Sequence, residues 1–363
     1  MRILLLNQYF PPDPAPTGIL LRELADDLAA RGHSVDFVAA REAYRGAQKK
    51  GGRARREMTA LFQMLIAGMR RPRADVVIAA SSPPCLSFVA GLVALWHRAA
   101  AVHWIMDLYP EIAVELGEIR EGALSRNVAR AMGWTYRRAA RVVVLDEDMA
   151  ERIRKYGVEP AIVRPWLFAS VLARPISDAA PASPWTWIYS GNLGRAHEWE
   201  TLLAAQQIIE QRDAEVRLLF QGGGPSWPAA RERAEALGLK RCEWQPYVDV
   251  ADLPASLLRA QVCAVTQIPS TRGCLWPSKL GLLLTLPRPI LWIGPGEGSI
   301  ARELRGIPHA GVFAPGDAAA VADWLLARKA GGSVVAQEAL GDARAGRESA
   351  LARWRDLLLP LAL

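Results

Sequence analysis

The chain has 363 residues, 51% of them hydrophobic, enough to bury a large core, and its length suggests two domains. A net charge of +7 and a pI near 9.5 suit nucleic acid, anionic lipid or an anionic substrate, so the distribution of charge has to decide. Four cysteines, at 85, 242, 263 and 274, form no CxxC pair and the five histidines no close pairing, which argues against a structural metal or redox site and fits a reducing cytoplasm.

The opening MRILLLNQYF lacks the small-residue cleavage site of a signal peptide and runs into prolines, so it reads as a first strand. β-Rich runs then alternate with helical patterns: RILLLN, SVDFVAA, DVVIAA, AVHWIM, RVVVLD and AIVRPW. This alternation predicts a parallel sheet covered by helices on both faces. LSFVAGLVALW (86–96) is the most apolar later run; it stops at His97-Arg98, short of the roughly 20 residues that span a bilayer, and is expected to be a buried helix. SVLARPISDAAPASP, around 170–184, has the composition of a linker. WTWIYSG, VRLLFQG, CEWQP, VCAVTQ and PILWIG then predict a second α/β domain, interleaved with helices such as SWPAARERAEALG and DLPASLLRA.

In open α/β sheets ligands bind beyond the carboxyl ends of the strands, so the strand-to-helix loops are where chemistry is sought. The first such loop leads through prolines to Thr17-Gly18, where a glycine at a helix entrance either serves the fold or admits an anion to the backbone. In HWIMDLYPEIAVELG (103–117) a strand ends at Asp107 and Glu111 follows; Asp107 reads equally as a general base and as a cap of the next turn. YSGNLGRAHEWE places Gly191, Asn192, Gly194 and Arg195 between a strand and a helix, where arginine suits a diphosphate. FQGGGP repeats the arrangement with Gly222, Gly223 and Gly224, which read equally as a flexible turn. There is no GxGxxG fingerprint and no Walker A motif. LWPSKLGLLL poses a specific puzzle. Pro277 and Ser278 read as a helix start with Ser278 as N-cap, which puts Lys279 in the first turn, the end a cation avoids by roughly 0.3–1 kcal/mol unless an anion shares it. Either Lys279 is a solvated side chain that accepts this cost, or a bound anion accounts for it.

PTGILLRELADDLAARGHSV, DLYPE, RPW, YSGNLGRAHEWETLLAA, FQGGGP, LPASLLRAQVCAVTQ and WPSKLGLLLTLPRPILW together resemble glycosyltransferase family 4 enzymes of the GT-B fold, most closely the capsule and colanic-acid branch. The resemblance implies two Rossmann-like doubly wound domains with a cleft between them: an acceptor-binding domain over 1–169, a linker over 170–184, and a nucleotide-sugar-binding domain over 185–340. The segment 341–363 is then expected to pack its helix back on the first domain. The implied chemistry is metal-independent, retaining transfer from a nucleoside-diphosphate sugar of UDP or GDP type, with no cofactor. Asp107, Arg195 and Lys279 take the catalytic places. Thr17, Gly18, Gly191, Asn192, Gly222, Gly223, Gly224, Pro277 and Ser278 take donor-binding ones, with Glu297 suggested for the donor sugar. The chain departs from the family where Cys274 and Leu282 stand in place of the Glu-x7-Glu pair, where Asn192 and His197 replace a basic pair, and at Pro287.

The basic run RGAQKKGGRARR (45–56), followed by an amphipathic pattern, suits an anionic membrane surface or a lipid-diphosphate acceptor, with Lys49, Lys50, Arg53, Arg55, Arg56 and Glu111 on the acceptor or membrane side. Nucleic acid is disfavoured because no aromatic residues interleave these charges. The expectation is a cytoplasmic protein peripherally bound to the inner face of the cytoplasmic membrane, extending a lipid-linked saccharide. A catalytically degenerate GT-B binding protein is the competing reading, and a sugar-nucleotide epimerase or hydrolase a third.

Overall fold

The computed structural model describes residues 1–13, 15–40, 52–173, 183–331 and 342–361, with the side chains of Arg53 and Ala54 left out. Lys49, Lys50, the Arg53 side chain and most of the expected linker therefore lie outside the described residues. The chain divides into two compact units: residues 1–168, 273–276 and 345–363 form the first, and 169–272 with 277–344 the second.

The first unit is built on strands β1 (Arg2–Asn7), β2 (Ser34–Ala39), β3 (Val76–Ala79), β4 (Ala100–Trp104), β5 (Arg141–Val144) and β6 (Ala161–Ile162), all parallel, in the order β2-β1-β3-β4-β5-β6. Its helices are α1 (Pro16–Ala30), α2 (Arg53–Met69), α3 (Leu86–His97), α4 (Glu111–Glu115), α5 (Ala123–Arg138) and α6 (Glu147–Arg154). Near-continuous apolar runs such as VVIA in β3 are buried throughout, as a sheet covered on both faces requires. The AIVRPW run yields only a two-residue strand, because Pro165 has no N–H to extend the ladder. The order reverses between β1 and β3, and there the loops meet: Gln8 N donates to Ser82 O at 2.7 Å and Ser82 Oγ to Gln8 Oε1 at 2.8 Å.

The second unit begins with α7 (Ala169–Leu172) and contains β7 (Trp185–Asn192), α8 (Glu200–Arg212), β8 (Val216–Gly223), α9 (Trp227–Ala236), β9 (Cys242–Gln245), α10 (Leu253–Leu258) and β10 (Val262–Thr266). It continues through α11 (Lys279–Leu283), β11 (Ile290–Ile293), α12 (Ser299–Arg305), β12 (Ala310–Phe313) and α13 (Ala318–Gly331). The sheet order is β12-β11-β10-β7-β8-β9, again parallel, with the reversal between β7 and β10. Its core gathers Trp187, Tyr189, Phe220, Leu202, Leu291 and Val321. β12 escapes sequence reading because AGVF is short and carries a glycine.

Helix α3 corrects one expectation. Leu86, Val89, Ala90, Val93 and Ala94 are buried, and α2 comes so close that a Cβ on Gly68 would lie 2.9 Å from Val93 Cγ2. Phe88, Leu95 and Trp96, however, are exposed. The helix is therefore buried on one face only.

The last helix, α14 (Ala343–Leu358), belongs mostly to the first unit. Trp354 is fully buried with its ring 4.7 Å from Trp104, which in turn lies 5.6 Å from Trp166. Arg347 and Arg355 pair with Glu23 and Asp27 of α1 at 3.1 and 3.0 Å. Trp354→Ala should cost roughly 3–5 kcal/mol by leaving a cavity beneath β4. Thermal unfolding checks this, and an unchanged transition would show that α14 contributes little to the first unit.

Candidate functional site

In the second unit the strand ends at the β7/β10 reversal are shaped by glycine. β7 and β8 pair out to Gly191↔Gly222 and Asn192↔Gly223. A Cβ on Gly222 (φ +137°) would lie 2.1 Å from Gly191 O, and one on Gly224 (φ +130°) 2.4 Å from Asn192 Oδ1. No side chain fits at these two positions, so Gly222 and Gly224 are accounted for by the packing of the two loops before any ligand is considered. Leu193 N donates to Gly223 O at 2.6 Å and Ser226 N to Leu193 O at 3.0 Å, which locks the two loops together.

Over this platform lies Lys279. Part of the side chain reaches the surface, but Nζ is buried and has no hydrogen-bond partner. It stands 3.7 Å above the centroid of the Tyr189 ring and 3.5 Å from the point a Cβ on Gly191 would occupy. Tyr189 is itself fully buried, and its hydroxyl donates to Asn192 O at 3.0 Å. Burial brings the Lys279 ammonium down to about 7. His197, whose ring is 5.8 Å from Tyr189, meets Thr266 O through Nδ1 at 2.8 Å. A carbonyl only accepts, so Nδ1 carries the proton and Nε2 is left as the acceptor. Burial and then the neighbouring Lys279 charge hold His197 at about 3, and the imidazole is neutral.

A cation–π contact offsets part of the desolvation of a cation but offers no acceptor to its N–H groups. Arg288 shows what a satisfied buried cation looks like in the same unit: it donates to Leu258 O, Ala260 O and Pro287 O. Lys279 is thus a buried charge held at a switch point with its donors unspent, and the solvated reading of this lysine is excluded. Ser278 does stand at the N-cap position of α11 with Lys279 in the first turn, but it is exposed, has helical backbone angles and makes no side-chain capping bond. The turn opens instead through Leu280 N to Pro277 O at 2.9 Å.

Around this centre Asn192 and Arg195 are exposed, on the end of β7 and on the loop after it, and Glu297 is exposed on the loop after β11. Cys274 and Leu282 are buried and offer no carboxylate; burial raises the Cys274 thiol to about 12. Sequence reading missed Tyr189. Its signal was an aromatic residue two positions before Gly191 at the end of a strand.

The first unit gathers a separate set. The Ser81 hydroxyl accepts from Met106 N and Asp107 N at 3.1 and 2.9 Å, fixing the turn after β4. Asp107 pairs with Leu275 in an antiparallel bridge, and Leu108 N donates to Cys274 O at 2.7 Å. The loop 273–279 therefore carries the backbone partners of the Asp107 turn at one end and Lys279 at the other. Among the described residues the Asp107 carboxylate has no hydrogen-bond partner, and burial raises it to about 6. Glu111 accepts from the Tyr156 hydroxyl at Oε1, while its buried Oε2 is unpartnered and burial raises its carboxyl. Thr17 receives a 3.4 Å contact from Asn7 Nδ2. Gly18 lacks room for a Cβ because Tyr9 O would lie 2.8 Å away, so its glycine is explained by the β1–α1 loop. Arg55 is exposed and Arg56 partly exposed in the first turns of α2.

Two parallel doubly wound units are the GT-B architecture, and the solved structures that resemble the chain have it. The structural likeness extends to sucrose-phosphate synthase from Thermosynechococcus elongatus (15% identity, TM-score 0.65, 99% of this chain and 97% of that one). It extends also to the lipopolysaccharide outer core galactosyltransferase WaaB (11%, 0.66, 99% of both chains) and to Anabaena HepE in complex with UDP-glucose (13%, 0.60, 100% and 98%). No curated protein matches the chain. Residues 18–165 match the glycosyl transferase 4-like domain, so the first unit carries a domain of that kind, and the chain as a whole shares the GT-B fold of these structures.

Removing the uncompensated charge should stabilise the fold. Lys279→Met is expected to raise Tm, by roughly 2–4 °C for each kcal/mol of relieved desolvation. Lys279 titrates near 7 when folded, below its ordinary 10.5, so the unfolded chain binds the extra proton between those values and wild-type stability rises with pH across that window. The advantage of the variant is then largest below pH 7 and shrinks toward pH 10. A lower Tm for Lys279→Met at neutral pH would show the ammonium to be a structural support instead.

Proposed function

We propose that the protein transfers a sugar from a nucleoside-diphosphate sugar, of UDP or GDP type, to a lipid-linked saccharide, with retention of configuration and without metal or cofactor, as in the capsule and colanic-acid branch. The observation that carries this reading is the buried, unpartnered Nζ of Lys279 at the β7/β10 switch point, where open α/β sheets bind ligands. A diphosphate supplies the acceptors that the site lacks. As the glycosidic bond breaks, negative charge grows on the leaving phosphate, and an ammonium already desolvated there stabilises that charge without reorganising. Arg195 adds a second cation at the rim and Glu297 contacts the donor sugar, while the loop amides at Gly191 and Gly222 to Gly224, with Asn192, Pro277 and Ser278, border the nucleotide.

On the acceptor side, Asp107 takes the proton of the attacking hydroxyl. A carboxylate near 6 is ionised at neutral pH yet basic enough for this task. Glu111, held by Tyr156, orients the acceptor, and Thr17 and Gly18 border the same unit's switch point. The structural relatives support the donor class: HepE was solved with UDP-glucose, and WaaB is a galactosyltransferase of the lipopolysaccharide outer core. A lipid-linked acceptor implies a cytoplasmic enzyme that touches the membrane peripherally, with Lys49, Lys50, Arg53, Arg55 and Arg56 on the lipid side. No helix among the described residues is long and apolar enough to cross a membrane.

The absence of carboxylates at Cys274 and Leu282 favours one second reading, a GT-B protein that binds a nucleotide sugar without turning it over. One experiment addresses both. Thermal unfolding with UDP, GDP, dTDP, CMP and ADP should show one diphosphate stabilising the protein by about 2.7 kcal/mol at 100 times its Kd, and Lys279→Met should abolish the effect. No stabilisation by any of them would defeat the transfer reading. With the matching donor and a membrane-derived acceptor, Asp107→Asn should lose roughly 10²–10⁴-fold in kcat while keeping the nucleotide-induced shift. The wild-type rate should rise with pH through about 6 as Asp107 ionises. NMR of the product anomer tests retention, and nucleotide binding with no turnover would favour the binding protein.

A further inference from the structure

Helix α3 is apolar on both of its long faces, and only one of them is used by the fold. Opposite the buried face, Phe88, Leu95 and Trp96 are 40%, 65% and 65% exposed, with Leu92 half-buried between them. The spacing 88, 92, 95 and 96 lines them along one stripe from the first turn to the last, where a surface helix ordinarily carries charge. The stripe continues onto neighbouring helices. Trp134 of α5 lies 6.4 Å from Phe88, with the Arg138 guanidinium 4.2 Å over its ring, and α2 exposes Met58 and Phe62.

At the far end of α3, Arg71, Arg73 and Arg98 line an open concavity of about 330 Å³ together with Trp96 and His97. His97 is committed to the fold: Nδ1 accepts from Ala74 N at 3.2 Å and Nε2 meets Gly68 O at 3.0 Å, and the arginines supply the charge of the concavity. The Trp96 indole is held by its bond to Met69 O at 3.1 Å. Arg73 Nε donates to His97 O at 3.2 Å, and Arg71 leans on Asp36 at 3.3 Å. Arg98 occupies φ +54°, a left-handed backbone that favours glycine, so an arginine is kept there against the local preference.

We propose that the α3 stripe and its arginine concavity form the surface by which the first unit lies on an anionic bilayer. Phe88, Leu92, Leu95 and Trp96 enter the interfacial layer, and lipid phosphates are received by Arg71, Arg73 and Arg98. The helix lies in the plane of the surface, as amphipathic interfacial helices do, and the tryptophans sit at headgroup level. Charge complementarity selects a bilayer over a second copy of the chain: the protein carries +7, and two arginine-bordered faces brought together would repel. The proposal deepens the reading of a membrane-borne acceptor and locates the contact on α3 rather than on the basic run 45–56 alone.

The test is co-sedimentation of the full chain with vesicles of phosphatidylcholine alone and with added phosphatidylglycerol, at low and high salt. The wild type should bind the anionic vesicles, more weakly at high salt. Leu95→Gln with Trp96→Gln, and separately Arg73→Gln with Arg98→Gly, should each weaken binding roughly tenfold or more. Arg98→Gly suits its backbone angle, so loss of binding there reports charge rather than misfolding. Nucleotide-induced thermal stabilisation is measured on every variant and should persist, which separates failure here from failure of the transfer reading. Undiminished binding by both variants, or no binding by the wild type, would overturn the proposal. So would a wild-type dimer that Leu95→Gln with Trp96→Gln dissolves, because it would assign the stripe to a second copy.

Discussion

The structure turns on one desolvated cation. An ammonium buried without acceptors is a cost that the second unit carries at rest, and the observed cation–π contact with Tyr189 relieves it only partly. The surrounding features frame that place. Gly191 lies beneath it, the crowded Gly222 and Gly224 bring the β7 and β8 ends together, and His197 is held neutral first by burial and then by the Lys279 charge. The contrast with Arg288 separates the two uses of a buried cation. Arg288 spends its donors on carbonyls of its own fold, whereas the Lys279 donors meet no acceptor.

The first unit repeats the theme with the opposite sign. Asp107 and Glu111 are carboxyls drawn away from water at and just beyond a turn pinned by Ser81, and burial raises both. The first unit thus holds carboxyls of raised basicity and the second a cation of lowered basicity, and the proposed roles, proton acceptor and phosphate partner, rest on those two shifts.

Much of this was legible in the sequence because period and punctuation are local. Strands such as RILLLN and VRLLFQG and the glycines that end them were read directly, and the misplaced lysine of LWPSKLG announced itself by breaking the dipole rule. What stayed hidden was tertiary. Nothing local says that Tyr189 lies under Lys279, that Tyr156 holds Glu111 from 45 residues away, or that the glycines at 18, 222 and 224 are crowded by backbone rather than by a ligand. Ser278 takes the N-cap position assigned to it, but its hydroxyl caps nothing and the turn opens through the Pro277 carbonyl. The outer face of α3 was misread because an apolar run does not say how many of its sides meet protein.

The most direct measurement is calorimetry of the stabilising nucleoside diphosphate between pH 7 and 9, repeated in buffers of different ionisation enthalpy. Lys279 is largely neutral in the free protein above pH 7, and under the proposed function a bound diphosphate would restore its charge. Binding at pH 8 to 9 should therefore take up close to one proton, and affinity should fall by up to about tenfold per pH unit. Binding that takes up no proton and is indifferent to pH would mean that the ammonium does not meet the diphosphate, and the account of the site built on it would be wrong.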